Sequence, residues 1–431
     1  MRILLVSFFF PPYNAIGAVR SGKTAKYLLA LGHDVRVISA ADQPLAGTLP
    51  VEVPEERVLR TRWLNVNRPV EMLLGGRQRI AAHGYIAPVS GRPLLTSALR
   101  SLGAAYRTLL HLPDGEIGWY PFARTAGTRL IRAWRPDVIL ASGRPFTSLL
   151  VAHSLAHRFG IPWVAELRDL WTDNHSRLQP YPRRALERRV EARVLSSAAR
   201  LITVSEPLAE RLRGRVGDRV SVVTNGFDPD DYPRLATGGD PDRTGPLRLV
   251  YTGMVYAGKQ DAGPLFRALH GLGVGVEAHF YGRYLDTVKS QAAEHGVGHA
   301  VHVHPPVPYA ESLRLQRLAD VLLLLLWNDR AERGVYTAKL FEYIGARRPI
   351  LAVGGTRDAA TELIEARGAG VVAGDAEAIR GLLERWRAQK RLAGGIADLP
   401  AEATSSLSRM EKTREIENVL RLVAMGGVAE R

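Results

Sequence analysis

Short apolar runs without polar alternation recur along this chain, separated by stretches with helical spacing. Ile3 to Ser7 reads as a strand, and Ala18 to Leu31 as a helix ended by Gly32 and His33. Val35 to Ser39 is a second strand. Further on, Arg129 to Trp134 reads as a helix, Asp137 to Ala141 as a strand, Phe146 to Phe159 as a helix and Ile161 to Glu166 as a strand. Arg183 to Ser197 is a charged helix, Leu201 to Val204 a strand, Pro207 to Leu212 a short helix and Val220 to Val223 a last strand. Apolar strands alternating with helices predict a parallel sheet covered on both faces.

The stretch from Asp228 to Pro246 has Pro, Gly and Asp but no apolar period, and reads as a linker. A second series of strands follows at Leu247 to Tyr251, Glu277 to Tyr281, Ala300 to His304, Val321 to Leu326, Ile350 to Val353 and Gly370 to Val372. The expected organisation is an N-terminal domain over 1–228, a linker over 229–246, a C-terminal domain over 247–404 and a final helical segment over 405–431 that returns to the first domain. The expected fold is α/β, with two facing Rossmann-like, doubly wound parallel-sheet domains. Ligands of such sheets sit outside the carboxyl ends of the strands, so strand ends are where chemistry is sought.

At 431 residues, 46% hydrophobic and 23% charged, the composition is that of a globular chain too long for one core. Cysteine is absent, which removes disulfides and thiolate metal sites and fits a reducing compartment. The start lacks a signal-peptide cleavage pattern, and Val321 to Trp327 is too short an apolar run to cross a bilayer. The expected location is the cytoplasm, with peripheral attachment to the inner face of the membrane as an extension. The net charge of +15 is uneven. Between Arg57 and Pro113, Arg57, Arg60, Arg62, Arg68, Arg77, Arg79, Arg92, Arg100 and Arg107 face one acid, Glu71. Two readings stand: a solvated basic face, or a surface for an anionic membrane or a phosphate-bearing acceptor. No nucleic-acid module is recognisable, and no nucleic-acid partner is expected.

Gly334 to Val353 is the densest candidate. A glycine-opened loop leads into a helix with Lys339 and Glu342 in its first turns. Helix N-terminal amides suit phosphate, and a carboxylate a turn further in accepts bonds from a sugar diol. The bland alternative is a capped helix with an i,i+3 surface pair. Gly17 opens the first helix after Pro11-Pro12-Tyr13-Asn14, either as a phosphate approach or as a tight turn, without a dinucleotide fingerprint. Glu166-Leu167-Arg168-Asp169-Leu170-Trp171 ends a strand with three charges. Either these pair structurally, or Asp169 orients a hydroxyl or stabilises developing positive charge. Tyr251-Thr252-Gly253, Lys259 and Arg283 stand at the next strand ends as candidates for a diphosphate. The proline-rich loop His304 to Tyr309, with Pro308, leaves carbonyls for a base edge. Asp228-Pro229-Asp230-Asp231 reads as a turn, and no metal site is assigned.

Several segments together resemble one family. They are Phe9-Phe10-Pro11-Pro12, Pro113-Asp114 with Gly118-Trp119, Pro136 to Gly143, Leu167-Arg168-Asp169-Leu170-Trp171, Asn225-Gly226-Phe227-Asp228, Tyr251-Thr252-Gly253 and Lys339-Leu340-Phe341-Glu342-Tyr343. The chain resembles GT-B fold nucleotide-sugar glycosyltransferases of family 4, and is similar to the aminosugar-transferase branch of bacterial surface-polysaccharide assembly. The resemblance implies a donor site mostly in the C-terminal domain; the candidate donor residues are Gly17 from the N-terminal domain with Gly253, Lys259, Arg283, Pro308, Gly334, Tyr336, Thr337, Lys339 and Glu342. It implies acceptor contacts by Asn14, Arg20 and Trp171, and catalytic roles for Asp169 and Arg168.

Glu342 matches the second glutamate of the family's E-x7-E signature. The first falls at Gly334, with Glu332 nearby but out of register. The place of the family's diphosphate arginine is Met254, and Lys259 matches its lysine. The implied reaction is retaining transfer from a nucleotide-diphosphate sugar to a hydroxyl of a glycan, lipid-linked or small-molecule acceptor. UDP is placed ahead of GDP and dTDP, and an N-acetylaminosugar is among the candidate donors. No cofactor is expected and no metal is required. Two alternatives remain: a GT-B sugar-nucleotide epimerase or phosphorylase, and a degenerate paralogue that binds partners without turnover.

Overall fold

The computed structural model describes residues 1–66, 68, 111–173, 181–232, 245–327, 334, 336–355 and 357–429. Contacts divide the chain into two compact units, Met1–Val223 with Thr413–Arg431, and Thr224–Lys412. The apolar segment 69–110, the central linker residues 233–244, Glu332 and Val335 lie outside the described residues, as do Arg77, Arg79, Arg92, Arg100 and Arg107.

The first unit holds a seven-stranded sheet. Its strands are β1 (Arg2–Val6), β2 (Asp34–Ala40), β3 (Val58–Thr61), β4 (Val138–Gly143), β5 (Trp163–Leu167), β6 (Arg200–Thr203) and β7 (Val220–Val222). Their order is β3-β2-β1-β4-β5-β6-β7, with every pairing parallel. Helices α1 (Ile16–Ala30), α2 (Tyr120–Ala133), α3 (Thr147–Phe159), α4 (Tyr181–Ser196) and α5 (Glu206–Val216) connect them. β1 and β4 are buried almost throughout, because helices cover both faces of the sheet centre.

The second unit repeats the plan with β8 (Leu247–Thr252), β9 (Val276–Tyr281), β10 (Val301–His304), β11 (Val321–Leu325), β12 (Ile350–Val353) and β13 (Gly370–Ala373). The order is β10-β9-β8-β11-β12-β13, again parallel. Between these strands run α6 (Gly263–His270), α7 (Asp286–Glu294), α8 (Tyr309–Arg317), α9 (Ala338–Gly345) and α10 (Ala359–Ala366). The long α11 (Ala376–Ala393) follows β13. One core layer joins Leu249, Phe280, Leu323 and Leu351 to Phe266, Ile379 and Leu383. The other joins Val250, Leu322, Leu324 and Ile350 to Leu340, Phe341 and Ile344. α10 opens with a capping box between Asp358 and Thr361, and α11 ends at Gly394 with φ 71.

In each sheet the strand order reverses once, between β1 and β4 and between β8 and β11. Those reversals are the topological switch points where such sheets bind ligands. The C-terminal α12 (Arg409–Ala429) packs Ile416, Val419, Leu420 and Val423 beside Ile3, Leu5 and Val35 of the first unit. Among the described residues no helix is long and apolar enough to cross a membrane.

Two elements differ from expectation. β3 was not anticipated. It is a four-residue edge strand among charges, with Val58 and Thr61 buried and Leu59 exposed, so its apolar signal is half a pattern. α2 begins at Tyr120, not Arg129. Pro121 sits in its first turn, where proline is tolerated, and Gly127 in its middle lowers helical propensity. Gly127 is there for packing, since a Cβ would lie 2.5 Å from Leu155 Cδ1.

Candidate functional site

The second unit gathers its candidates at the carboxyl ends of β8 and β9 and at the start of α9. β8 ends in Thr252, and Gly253 turns the chain at φ 113, a backbone that side-chain-bearing residues rarely adopt. A Cβ on Gly253 would stand 3.2 Å from Lys339 Nζ, and one on Gly282 would stand 2.1 Å from the Gly253 carbonyl oxygen. The two glycines therefore let adjacent strand ends close up beneath the lysine. Lys339 Nζ donates to Tyr251 Oη at 2.6 Å and lies 3.9 Å from that ring's centroid. Tyr251 Oη in turn donates to the Met254 carbonyl at 2.6 Å. Burial depresses Lys339 to about 7, against a raising effect of Glu342. Met254, where the resemblance places an arginine, thus contributes a backbone oxygen that orients Tyr251 under the ammonium.

Glu342 stands one turn into α9 and is half-buried. Gln316 Nε2 on α8 donates to its Oε2 at 3.3 Å, and to Thr252 Oγ1 at 3.0 Å. Tyr232 Oη donates to the Glu342 carbonyl at 2.6 Å, and Tyr343 Oη accepts from Thr252 N at 3.0 Å. These bonds tie α9 to β8 and α8, so the carboxylate is held on a fixed helix. Burial raises its pKa, offset in part by Gln316, Arg409 and Lys339.

Thr337 precedes α9 in extended conformation, in the place of a cap residue, yet makes no capping bond. Its Oγ1 is buried without a hydrogen-bond partner among the described residues. A hydroxyl and a helix N-terminus side by side, with a cation nearby, form a cradle suited to an anion. Replacing Thr337 with alanine is expected to leave stability within about 0.5 kcal/mol, because no cap bond is lost, against about 1 kcal/mol for an ordinary N-cap. Chemical denaturation reads this directly. The same variant should weaken nucleoside-diphosphate binding by about fivefold to tenfold, the worth of one hydrogen bond.

Gly334 is buried with φ 95. That conformation favours glycine and accounts for the missing acid at this position. Tyr336 packs edge-on against Phe341 at 5.4 Å, and its hydroxyl is held neutral by burial with Glu362 and Asp358 nearby. It supports the loop from the core side. At the β8–β11 switch point Lys259 Nζ lies 5.4 Å from the Trp327 ring, whose other neighbour is Tyr256 at 5.0 Å. Arg283 and Pro308 are exposed, Pro308 immediately before α8.

In the first unit the expected acceptor residues require correction. Arg20 is 2% exposed and donates to Glu166 Oε1 at 2.8 Å and to the Val223 carbonyl at 3.0 Å. Ser142 Oγ donates to the other Glu166 oxygen at 2.6 Å. Arg20 is thus a buried tie across β4, β5 and the end of the last strand, and it presents no face to a ligand. Trp171 is also buried, stacked on Phe146 at 4.9 Å with Nε1 donating to Glu187 at 3.1 Å. Its role is packing.

Arg168 donates through Nε to the Gly143 carbonyl at 3.1 Å and through a terminal nitrogen to the Arg144 carbonyl at 2.6 Å. Its guanidinium also fills the space over Gly17, where a Cβ would lie 2.6 Å from it. The absence of a side chain at Gly17 thus makes room for Arg168. Asn14 is exposed and donates to Thr48 Oγ1 at 2.9 Å. Asp169 is half-buried beside Arg168, whose charge it supports.

Gln316 and Tyr232 carry no sequence signal for this site: they are uncharged and lie far from Glu342 along the chain, and only the fold brings them to it. A further group, in the first unit, is Glu116, pushed up to about 8 by burial and by Asp114. Asp114 accepts from Thr147 N at 3.0 Å at the start of α3.

Arg57 pairs with Asp34, and Arg60 donates to Glu55 at 2.9 Å and to the Pro11 carbonyl at 2.8 Å. These two members of the basic stretch serve the unit's own edge.

Two parallel Rossmann-type sheets, each with a switch point, define a GT-B fold, and comparison with solved structures agrees. The chain is similar to Anabaena Alr3699/HepE in complex with UDP, with 14% identity, a TM-score of 0.65, and coverage of 98% of this chain and 100% of that one. It is also similar to sucrose-phosphate synthase from Thermosynechococcus elongatus, with 13% identity, a TM-score of 0.63, and coverage of 99% and 100%. A third is WaaG, a glycosyltransferase involved in lipopolysaccharide biosynthesis, with 13% identity, a TM-score of 0.55, and coverage of 97% and 99%. Residues 22–231 match the model of Glycosyltransferase Family 4. The comparisons establish the GT-B fold, and the match to Glycosyltransferase Family 4 lies within the first 231 residues. Comparison with curated protein sequences finds no match.

Proposed function

We propose that the enzyme transfers a sugar from a nucleoside-diphosphate donor, UDP ahead of GDP or dTDP, to a hydroxyl acceptor with retention of anomeric configuration. One observation carries the donor reading. A half-buried carboxylate, a lysine depressed to about 7 and an unpartnered threonine hydroxyl share the first turns of α9. Amides, hydroxyl and ammonium suit the diphosphate, and Glu342 suits the ribose diol. The Alr3699/HepE structure that resembles this chain is in complex with UDP, which supports the base.

In the proposed reaction the bond from the anomeric carbon to the diphosphate oxygen breaks. The acceptor oxygen bonds the same carbon on the same face, and the acceptor's proton passes to the leaving diphosphate. The enzyme then contributes position and charge stabilisation, with Lys339 and Lys259 compensating the leaving nucleotide. No metal or cofactor is needed for these steps. Asp169 orients the acceptor hydroxyl or stabilises positive charge at the sugar. The acceptor class proposed is a glycan or a lipid-linked or small-molecule hydroxyl compound, as in surface-polysaccharide assembly. Location in the cytoplasm or at its membrane face accords with a cytosolic sugar nucleotide.

Calorimetry with UDP, GDP and dTDP tests the donor reading, and absence of binding by all three overturns it. Nuclear magnetic resonance of the product's anomeric proton tests retention, and an inverted product overturns that part. Asp169→Ala is expected to lower kcat by about 100-fold with UDP affinity unchanged, the usual scale for a hydroxyl-orienting base. Equal loss in both measures would remove Asp169 from this role.

A further inference from the structure

We propose that Glu277, His279 and His302 form a binding site for a late first-row transition-metal dication of the zinc, nickel or copper class. Glu277 and His279 are two residues apart on β9 and so project from one face. His302 on β10 pairs in register with His279 and presents its ring on the same face. The carboxylate Oε2 lies 3.2 Å from His279 Nε2 and 3.9 Å from His302 Nε2, and the three ligand atoms all fall within 4.8 Å of one another. In a tetrahedral site with bonds of about 2.0–2.1 Å, ligand atoms stand roughly 3.3 Å apart. The Glu277–His279 pair already has that spacing, and the His302 ring, stacked on His279 at 4.8 Å, has to turn its Nε2 inward to close on an ion.

Three further observations support the assignment. His302 Nε2 is buried with no hydrogen-bond partner among the described residues, although its side chain is 38% exposed. That nitrogen stands 3.9 Å from the carboxylate, while the ring remains open to solvent for entry. Next, His279 Nδ1 lies 3.1 Å from His304 Nε2, and the two rings stack nearly parallel at 5.4 Å. This outer bond fixes the ring so that Nε2 points at the carboxylate, the arrangement that supports metal-ligating histidines. Finally, all three ligands stand on paired strands, so their spacing is set by the sheet and not by a loop.

Arg248, which donates to Tyr281 Oη at 3.2 Å, is a cation that acts electrostatically on His279. A single carboxylate opposite an arginine gives little net charge for a hard cation. Two imidazoles supply the affinity, which selects zinc, nickel or copper over calcium or magnesium. The site lies on the face of β9, before the strand end where the donor residues gather. Its occupancy would pin the edge strand β10 to β9, and it does not depend on the proposed donor.

The test uses the full chain without a histidine tag, stripped with chelator and titrated with zinc or nickel chloride at pH 8. Expected results are one ion per chain by calorimetry, a melting temperature that rises with added metal, and an anomalous diffraction peak between the three side chains. His302→Asn should abolish the one-to-one binding while keeping the far-ultraviolet spectrum and UDP affinity of the parent. His304→Asn should weaken it by about tenfold or more through the lost outer bond. No heat and no thermal shift in the parent, unchanged binding in His302→Asn and Glu277→Gln, or an anomalous peak elsewhere would each overturn the site.

Discussion

Glu342→Gln is expected to weaken UDP binding by about 10- to 100-fold and to raise the melting temperature in the same preparation. The first effect follows from hydrogen bonds to a charged acceptor, worth about 1.5–3 kcal/mol. A carboxylate can accept from both hydroxyls of a ribose, whereas the amide offers one acceptor oxygen and turns donors toward the other hydroxyl. The second effect follows from burial, which raises the pKa of Glu342 in the folded chain. Between the ordinary carboxylate value and that raised value, the folded state holds a proton that the unfolded state has released. Stability therefore falls as pH rises through this window, and at neutral pH the ionised side chain opposes folding. The amide removes that cost and still meets Gln316, which donates to Glu342 at 3.3 Å in the parent. Calorimetry with UDP and a thermal melt separate the two effects. A loss of both affinity and melting temperature would mean that Glu342 is structural, and an unchanged affinity would remove it from the donor site.

The same residue shows what sequence could and could not reveal. Lys339 and Glu342 were legible because a helix places i and i+3 on neighbouring positions, and because a glycine-opened loop before a helix marks its N-terminus. The partners that hold them were not legible. Gln316 comes from α8, Thr252 from the end of β8 and Tyr232 from before the second sheet, contacts set by strand order and not by local spacing.

The opposite error occurred at Arg20 and Trp171. A basic residue near a glycine-opened helix and an aromatic after a strand end look available in a linear reading. Whether each faces inward depends on Glu166 and Phe146, which only the folded unit brings to them. Arg168 and Gly17 make the same point as a pair, since only the fold shows which side chain stands over the glycine. The strands themselves were easy, because buried parallel strands carry continuous apolar runs. The half-buried edge strand β3 carries no such run.

Lys339 leads to a pH dependence of comparable size. Burial holds its ammonium at about 7, so the unliganded protein loses this charge as pH rises through neutrality. A bound diphosphate stabilises that charge and raises the pKa, so binding takes up a proton. Affinity for UDP should fall as pH rises above 7, by up to about tenfold per pH unit, which is the slope of one linked proton. The terminal phosphate of UDP, with a second pKa of about 6, is about nine-tenths ionised at pH 7 and almost wholly so at pH 8, so the slope above 8 reports the lysine. Stability moves the other way. The unfolded chain binds the lysine proton up to the ordinary value near 10.5 and the folded chain releases it at about 7, so this lysine makes the protein more stable as pH rises across that interval. Lys339→Met should flatten the affinity profile, weaken binding at pH 6 by about 100-fold as expected for a lost charge-assisted contact, and leave the melting temperature equal or higher. Titrations at pH 6, 7, 8 and 9 in two buffers of different ionisation enthalpy measure affinity and proton uptake together. A profile that stays level in the parent, or one that persists in Lys339→Met, would place the diphosphate away from this lysine and leave Lys259 as the cation that meets it.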